Sequence, residues 1–315
     1  MREGNRVWID GVGAYEWGCG KRPNTFIGSL WAAMNTLGHT VSYEELMGVS
    51  GAAFRVQFFR PAGCPSSAAT PCGFDCSITA VGALPYELTR TWLNRDDPTQ
   101  LDSLKGRFRE SIDRGLPVFL HSAECGLGTG YTADGDTFLI RNWCARGPEY
   151  TVMSDWPWEV GFFSPKTAVP ERRSLVVGSL EIVQQIAHAD SFGGYASGFT
   201  AYREWIGHLR SAEYFAGLDQ QGASGAALAN AYNYDCLKDA RRSAGVYLRG
   251  IAGELPIGAA THINAAAALY ERIATEIMAE SPGDVAPYPW MLKDGRVWTQ
   301  AMRDHQANVL EQVMR

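Results

Sequence analysis

The chain has 315 residues, of which 46% are hydrophobic and 20% charged, and its formal net charge is −6 at pH 7. This composition is typical of a globular protein with a substantial core, and its Lys and Arg residues form no basic stripe, so nucleic acid is not an expected partner. The first residues lack a signal-peptide pattern and no window approaches the roughly 20 apolar residues of a membrane helix, so we expect a cytoplasmic protein without a membrane partner. The seven cysteines are then expected to be reduced thiols.

Two helices are predicted near the start of the chain. Apolar residues recur at three- and four-residue spacing over 25–37, and Asn24 or Thr25 can provide the N-cap. Ser42 with Glu45 three residues later forms a capping box, which predicts a short second helix. The segment AAFRVQFF that follows is predicted to be a strand.

A long loop rich in Cys, Pro and Ser separates that strand from the next elements. Loops of this length are typically functional or disordered. Cys64, Cys72 and Cys76 are spaced C-x7-C-x3-C, which is not a zinc-finger spacing, so we expect no metal there. We expect Asp75 or Ser77 to cap the following helix instead, with Cys76 in the core. A polar amphipathic helix is predicted over 101–114.

The strongest strand pattern follows this helix. LPVFLHS, CGLGTGYTA and DTFLIRNW predict three consecutive strands, with a type I′ turn at the Asp-Gly pair and a second hairpin around WPWEVGFFSP. Antiparallel strands after helices indicate an α+β domain. The glycines of GLGTGY lie within a strand, so they do not form a dinucleotide fingerprint and instead indicate that something approaches the backbone closely.

The second half of the chain is predicted to be helical. Its Ala-rich segments have a 3.6-residue period, and we place a domain boundary near residue 175, with a first domain 1–175 and a helical domain 176–315. The predicted helices are 179–190, 198–217, 222–251, 256–280 and 297–314. We expect Trp290 and Trp298 to pack against the body. Ala-rich helical stripes also suit self-association, so a homodimer is an expectation.

Several stretches together resemble a known family. They are SYEELMGVSGAAFR, the loop ending in GFDC, and RGLPVFL followed by ECGLGTGY and FLIRNW. They are similar to the butirosin biosynthesis protein H N-terminal family, which belongs with the C39-like bacteriocin-processing peptidases of papain-like fold. The resemblance covers roughly residues 8–165, and the helical half resembles the extension of such proteins.

The resemblance implies thiol chemistry that this chain does not match in full. Papain-like sites hold a thiolate at a helix N-terminus, with a His and an Asp or Asn on the neighbouring strands. The position of the nucleophile falls on Asn24 or Thr25, the base on Glu124 or Cys125, and the third member on Asn142. Only Asn142 has the expected residue type.

Three explanations of this mismatch stay open at the level of sequence. In the first explanation the nucleophile is Cys19, which lies between glycines just before the helix. The alternative interpretation of Cys19 is an inert loop thiol. The site can be rebuilt around Glu124 and Cys125. On one continuous strand His121 would lie some 13 Å from Cys125, so a partly buried structural His is favoured.

The third explanation is a fold that binds without covalent chemistry. Thr25 can act as a nucleophile only with a strong base beside it, and N-capping by Asn24 and Thr25 is the simpler interpretation. The expected substrate contacts are Asn24, Thr25, Asp75, Cys125 and Tyr131, and the catalytic candidates are Cys19, Glu124 and Asn142.

The combined expectation is a papain-like α+β domain followed by a helical domain. We expect acyl or amide transfer, or amide hydrolysis, on a small amine- or peptide-like metabolite of secondary metabolism, free or carrier-linked. No cofactor and no metal are expected. The alternative is a pseudoenzyme, a papain-like fold without catalysis that binds a small ligand or a partner.

Overall fold

The computed structural model of the protein describes residues 1–15, 22–60, 62–143, 145, 147, 149–292 and 298–315. The chain divides into two compact units, of which the first comprises Met1–Leu46 with Ala80–Pro170 and the second Met47–Thr79 with Glu171–Arg315. One division falls at residue 170, and residues 47–79 belong to the same unit as the helical half.

The strands and helices have the following bounds. In chain order the strands are β1 (Arg2–Glu3), β2 (Arg6–Trp8), β3 (Gln57–Phe59), β4 (Tyr86–Trp92), β5 (Val118–His121), β6 (Cys125–Thr132), β7 (Phe138–Arg141), β8 (Thr151–Val152), β9 (Glu159–Pro165), β10 (Ser191–Phe192) and β11 (Tyr195–Ser197). The α-helices are α1 (Thr25–Thr36), α2 (Tyr43–Val49), α3 (Cys76–Gly82), α4 (Pro98–Asp113), α5 (Arg172–His188), α6 (Gly198–Arg210), α7 (Ala212–Ala216), α8 (Gln220–Ala252), α9 (Ile257–Arg272), α10 (Pro282–Val285) and α11 (Gln300–Met314). Single 3-10 turns occupy Pro65–Ser67 and Pro289–Met291, and a π-helical turn at Ile273–Ile277 continues α9.

An antiparallel sheet of eight strands forms the centre of the first unit, so the α+β class is confirmed. The strand order is β1-β2-β6-β5-β9-β4, and β7 pairs with β6 and with β8. Strand β6 is long enough to pair with β5 along its first half and with β2 along its second half, while β7 lies on its other edge. Every residue of β6 is buried.

Helices cover both faces of this sheet. On one face the Phe26 ring of α1 meets the Phe119 ring of β5 edge to face, with centroids 5.1 Å apart. On the other face Phe108 and Leu104 of α4 belong to a core with the alternate strand residues, among them Val118. The period-2 alternation of each strand therefore separates an α1 face from an α4 face.

The glycines of β6 allow other parts of the protein to approach the strand closely, as their place within a strand predicts. A Cβ on Gly128 would lie 2.3 Å from the Phe108 ring, and one on Gly130 would lie 2.5 Å from the carbonyl oxygen of Val7. Neither position can hold a side chain without displacing its neighbour. The close contacts are made by the α4 core and by β2.

Helices dominate the second unit, together with a small sheet of β10, β11 and β3. Its core joins Val56 and Phe58 to residues of α6, α8 and α11. Arg55 is buried and donates five hydrogen bonds to backbone carbonyls. Those carbonyls belong to Ala68, Ala69, Thr70, Cys72 and Phe74. The Cys- and Pro-rich loop is thus ordered around one guanidinium group.

Local capping predictions are confirmed. The Ser42 hydroxyl accepts the N–H of Glu45 at 3.0 Å. Asp75 accepts the N–H of Ser77 at 2.8 Å at the start of α3, and Cys76 is buried. These interactions depend only on residues two or three apart, so sequence spacing is sufficient to predict them.

Other local predictions are wrong. The β6–β7 turn is not type I′, because Gly135 has a positive φ of 75° and Asp134 does not. The Asp134 carboxylate accepts the N–H groups of Asp136 and Thr137, which holds a longer loop. WPWEVGFFSP contributes the single strand β9 rather than a hairpin, and Trp290 remains 59% exposed, stacked on Tyr288.

Two predicted elements differ in their extent. Of AAFRVQFF only the last three residues, Gln57–Phe59, form a strand. The predicted helix 198–217 is interrupted at Ser211, whose hydroxyl caps α7. Within the described residues, no helix has both the length and the apolar character needed to cross a membrane.

Candidate active site

A network of hydrogen bonds fixes the first turn of α1. The side chain of Asn24 accepts the N–H of Ile27 at 3.1 Å, so Asn24 is the N-cap. The hydroxyl of Ser29 donates to the carbonyl of Thr25 at 2.8 Å and accepts from the hydroxyl of Tyr15 at 3.0 Å. The predicted cap is confirmed, and Thr25 begins the helix.

A tight turn links β5 to β6 next to this helix end. The N–H of Ser122 donates to the carbonyl of Glu124, and His121 and Cys125 are direct cross-strand partners. The expectation that His121 and Cys125 lie some 13 Å apart is wrong, because the chain reverses between them instead of continuing as one strand. Cross-strand partners have Cα atoms about 4.5–5.5 Å apart.

The turn brings Glu124 and Cys125 to Thr25. The Thr25 hydroxyl donates to Glu124 Oε2 at 2.5 Å and accepts the backbone N–H of Cys125 at 3.0 Å. Thr25 is only 4% exposed, whereas Glu124 is partly exposed. The residue at the expected nucleophile position therefore has a carboxylate against its hydroxyl, at the positive end of a helix dipole.

The thiol of Cys125 has the opposite character to an activated nucleophile. Burial raises its pKa well above the usual value, and the negative charge of Glu124 raises it further, while a hydrogen bond with Thr25 opposes both effects. A thiol reacts as its thiolate, so a raised pKa suppresses its reactivity at neutral pH. Cys125 packs beside Thr25 as a protonated thiol.

A second polar network lies next to the hairpin. Nδ1 of His121 is 3.0 Å from Oε2 of Glu159, and Nε of Arg90 is 3.4 Å from Oε1 of the same carboxylate. Glu159 is buried and His121 is partly buried. The expectation of a partly buried His is met, but its partner is a buried carboxylate, itself beside Arg90, that the sequence did not suggest.

The remaining catalytic candidates do not join Thr25. The backbone of Asn142 lies beside Gly126, since a Cβ on that glycine would be 3.3 Å from Asn142 Cα. The Asn142 side chain forms no hydrogen bond with Thr25, Glu124 or Cys125, all of which belong to the described residues. Cys19 lies outside the described residues.

Two expected substrate contacts lie elsewhere. The hydroxyl of Tyr131 donates to Asp113 at 2.7 Å, and its ring belongs to the α4 core on the other face of the sheet. Asp75 caps α3 within the second unit.

Of the described ranges, none brings three His, Cys, Asp or Glu side chains together as ligands for a metal ion.

Sequence reasoning missed Arg90, Glu159 and two tryptophans beside them, Trp92 and Trp158. The segment YELTRTW forms β4, and the exposure of its first five residues alternates from one residue to the next. Its β-branched and aromatic content was a signal for β4. Glu159 is the first residue of the apolar run EVGFF. Because a glutamate is almost never fully buried unless it is paired, its place in this run was a signal for a buried carboxylate with a partner.

Comparison with known proteins finds no family model that matches the chain and no curated protein that matches its sequence.

Proposed function

We propose that the first unit is a papain-like domain that transfers or hydrolyses acyl groups, with Thr25 as nucleophile and Glu124 as general base. The observation that carries this proposal is the 2.5 Å hydrogen bond from the Thr25 hydroxyl to the Glu124 carboxylate. A hydroxyl is a weak nucleophile unless a base removes its proton as it attacks, and this contact supplies that base. The substrates expected from the resemblance are small amine- or peptide-like metabolites in the cytoplasm.

The proposed reaction has two steps, formation of an ester on Thr25 and its breakdown. In the first, Thr25 Oγ1 attacks the substrate carbonyl while its proton moves to Glu124, and the leaving amine takes that proton as the C–N bond breaks. In the second, water or an acceptor amine attacks the Thr25 ester and gives its proton to Glu124. The proton then returns to Thr25 Oγ1 as the ester C–O bond breaks. Backbone N–H groups at the start of α1 favour the developing oxyanion.

The alternative is a fold that binds a ligand without covalent chemistry. The observation that favours it is the burial of Thr25, whose hydroxyl both donates to Glu124 and accepts from Cys125. In that function the hydrogen bonds of Thr25 hold the start of α1 against the β5–β6 hairpin. The partly exposed Glu124 binds the ligand.

Acetylation by p-nitrophenyl acetate separates the two functions. The proposal predicts a burst of p-nitrophenolate and one acetyl adduct that peptide mapping locates on Thr25. Thr25→Ser should retain the adduct and Thr25→Val should lose it. Glu124→Gln, which keeps a hydrogen-bond acceptor but removes the base, should slow the burst by about 100-fold or more.

The matched control is Thr36→Val, which removes a threonine hydroxyl from the last turn of the same helix. It should leave the burst unchanged. An adduct on Cys19, or no adduct on any residue of the wild-type protein, would overturn Thr25 as the nucleophile. Absence of any adduct would favour the binding function.

A further inference from the structure

Four side chains form a row across the sheet of the first unit. Cys125 on β6 pairs with His121 on β5, His121 pairs with Glu159 on β9, and Glu159 pairs with Trp92 on β4. Residues directly opposite each other in antiparallel strands project from the same face. The row therefore lies on the α1 face, since Cys125 contacts the first turn of α1 there.

Glu159 determines which nitrogen of His121 can interact with a ligand. The Glu159 carboxylate lies between Nδ1 of His121 and the guanidinium of Arg90, so Nδ1 is the ring nitrogen that faces a hydrogen-bond acceptor. In the neutral imidazole, Nδ1 then holds the ring hydrogen and Nε2 has the lone pair. No residue in the described part of the chain hydrogen-bonds to Nε2, so it can accept a hydrogen bond from outside the protein.

Two exposed tryptophans flank this imidazole. The Trp92 ring centroid is 6.0 Å and the Trp158 ring centroid 6.2 Å from that of His121. Trp92 is 62% and Trp158 47% exposed, whereas the His121 side chain is 15% exposed. Indole faces attract cations and apolar groups, and two of them beside one hydrogen-bond acceptor make a small binding surface.

We propose that His121, Trp92 and Trp158 form a binding site for an alkylammonium group. The ammonium donates a hydrogen bond to Nε2 of His121, and its alkyl part lies against the two indole rings. The charges of Glu159 and Arg90 offset each other, so these two residues add no net positive charge that would favour an anion. The site goes beyond the proposed acyl chemistry, because binding here does not need an ester on Thr25.

Fluorine NMR of the full chain labelled with 5-fluorotryptophan tests this site directly. Single Trp→Phe variants assign the resonances of Trp92, Trp158 and Trp290. Titration with n-butylammonium should shift the first two resonances saturably and leave that of Trp290, which is 59% exposed, unchanged. Butyrate, of equal chain length, should shift none of them.

His121→Phe keeps a ring at this position but removes Nε2, and should weaken n-butylammonium binding about tenfold. Trp290→Phe should not change the affinity. Titration with Nα-acetyl-lysine amide distinguishes the two sources of the ammonium group. An affinity higher than that of n-butylammonium indicates a lysine of a peptide. A lower affinity indicates a free amine. Equal shifts with butyrate, or unchanged affinity in His121→Phe, would overturn the proposal.

Discussion

His121 and Cys125 lie directly opposite each other across the β5–β6 hairpin, although only three residues separate them in the chain. The turn through Glu124 reverses the chain and also presents that carboxylate to Thr25. One tight turn thus brings together the end of a helix, a carboxylate and an imidazole. This relationship is the basis of both proposals, which use different side chains of the same hairpin.

Gly130 should not tolerate a side chain. Alanine at this position would place its Cβ 2.5 Å from the Val7 carbonyl oxygen, and because that atom belongs to the backbone of β2, the strand would have to move. We expect Gly130→Ala to lower the free energy of unfolding by about 2 kcal/mol, measured by urea denaturation. Gly106→Ala is the control, since that site in α4 has open space and alanine there should stabilise by about 0.5–1 kcal/mol. Equal effects of the two variants would contradict the packing described for β6.

Arg55 should stabilise the second unit strongly. Its replacement by Met keeps the apolar stem but leaves five carbonyl oxygens of the 68–74 loop without their donor. We expect Arg55→Met to lower the free energy of unfolding by about 3 kcal/mol and to make the loop sensitive to limited proteolysis. Arg249→Met removes an exposed arginine that pairs with Glu271 on the surface, and should change the stability little. A loop that stays resistant in Arg55→Met would show that other contacts order it.

The buried thiols should alkylate slowly. Burial raises the pKa of Cys76 to about 11 and that of Cys125 well above its usual value, so little of either is thiolate at pH 7. Iodoacetamide labelling with peptide mapping should modify the partly exposed Cys64, Cys72 and Cys236 before the buried Cys76 and Cys125. Both buried thiols should react readily once urea unfolds the chain. Labelling of Cys125 ahead of Cys64 in the folded protein would instead favour a thiol at the site.

His208 should make the protein less stable as the pH falls. Burial lowers its pKa from the usual 6.5 to about 4, with a smaller contribution from the charge of Arg303. The unfolded chain then binds the proton more tightly than the folded chain. Stability is therefore lost as the pH falls from about 6.5 towards 4 and changes little with this group above that window.

His208→Phe tests this contribution. The phenyl ring fits among the Phe58, Tyr214 and Phe215 rings, which surround the imidazole. Urea midpoints between pH 7 and pH 4 should fall less steeply in His208→Phe than in the wild type. His262→Phe, at an exposed position, should follow the wild-type profile. Parallel profiles for His208→Phe and the wild type would contradict the lowered pKa of the partly buried His208.

Patterns within a few residues were sufficient for part of the fold. The N-cap of α1 at Asn24, the cap of α2 at Ser42 and the cap at Asp75 follow from side chains that bond backbone groups two or three residues away. Strands β5, β6 and β7 follow from short apolar runs with β-branched and aromatic residues, bounded by turn residues. The place of Thr25 at a helix N-terminus was likewise predictable, because it depends only on helical periodicity.

Tertiary structure decided what surrounds these elements. The sequence by itself determined the α+β class, the start of α1 and the candidate positions Thr25 and Glu124. Only the folded chain decided that Glu124 contacts Thr25, that Glu159 pairs with His121 from 38 residues away, and that residues 47–79 group with the helical half. Strand register and burial depend on which segments pair at long range, and no local pattern contains that information.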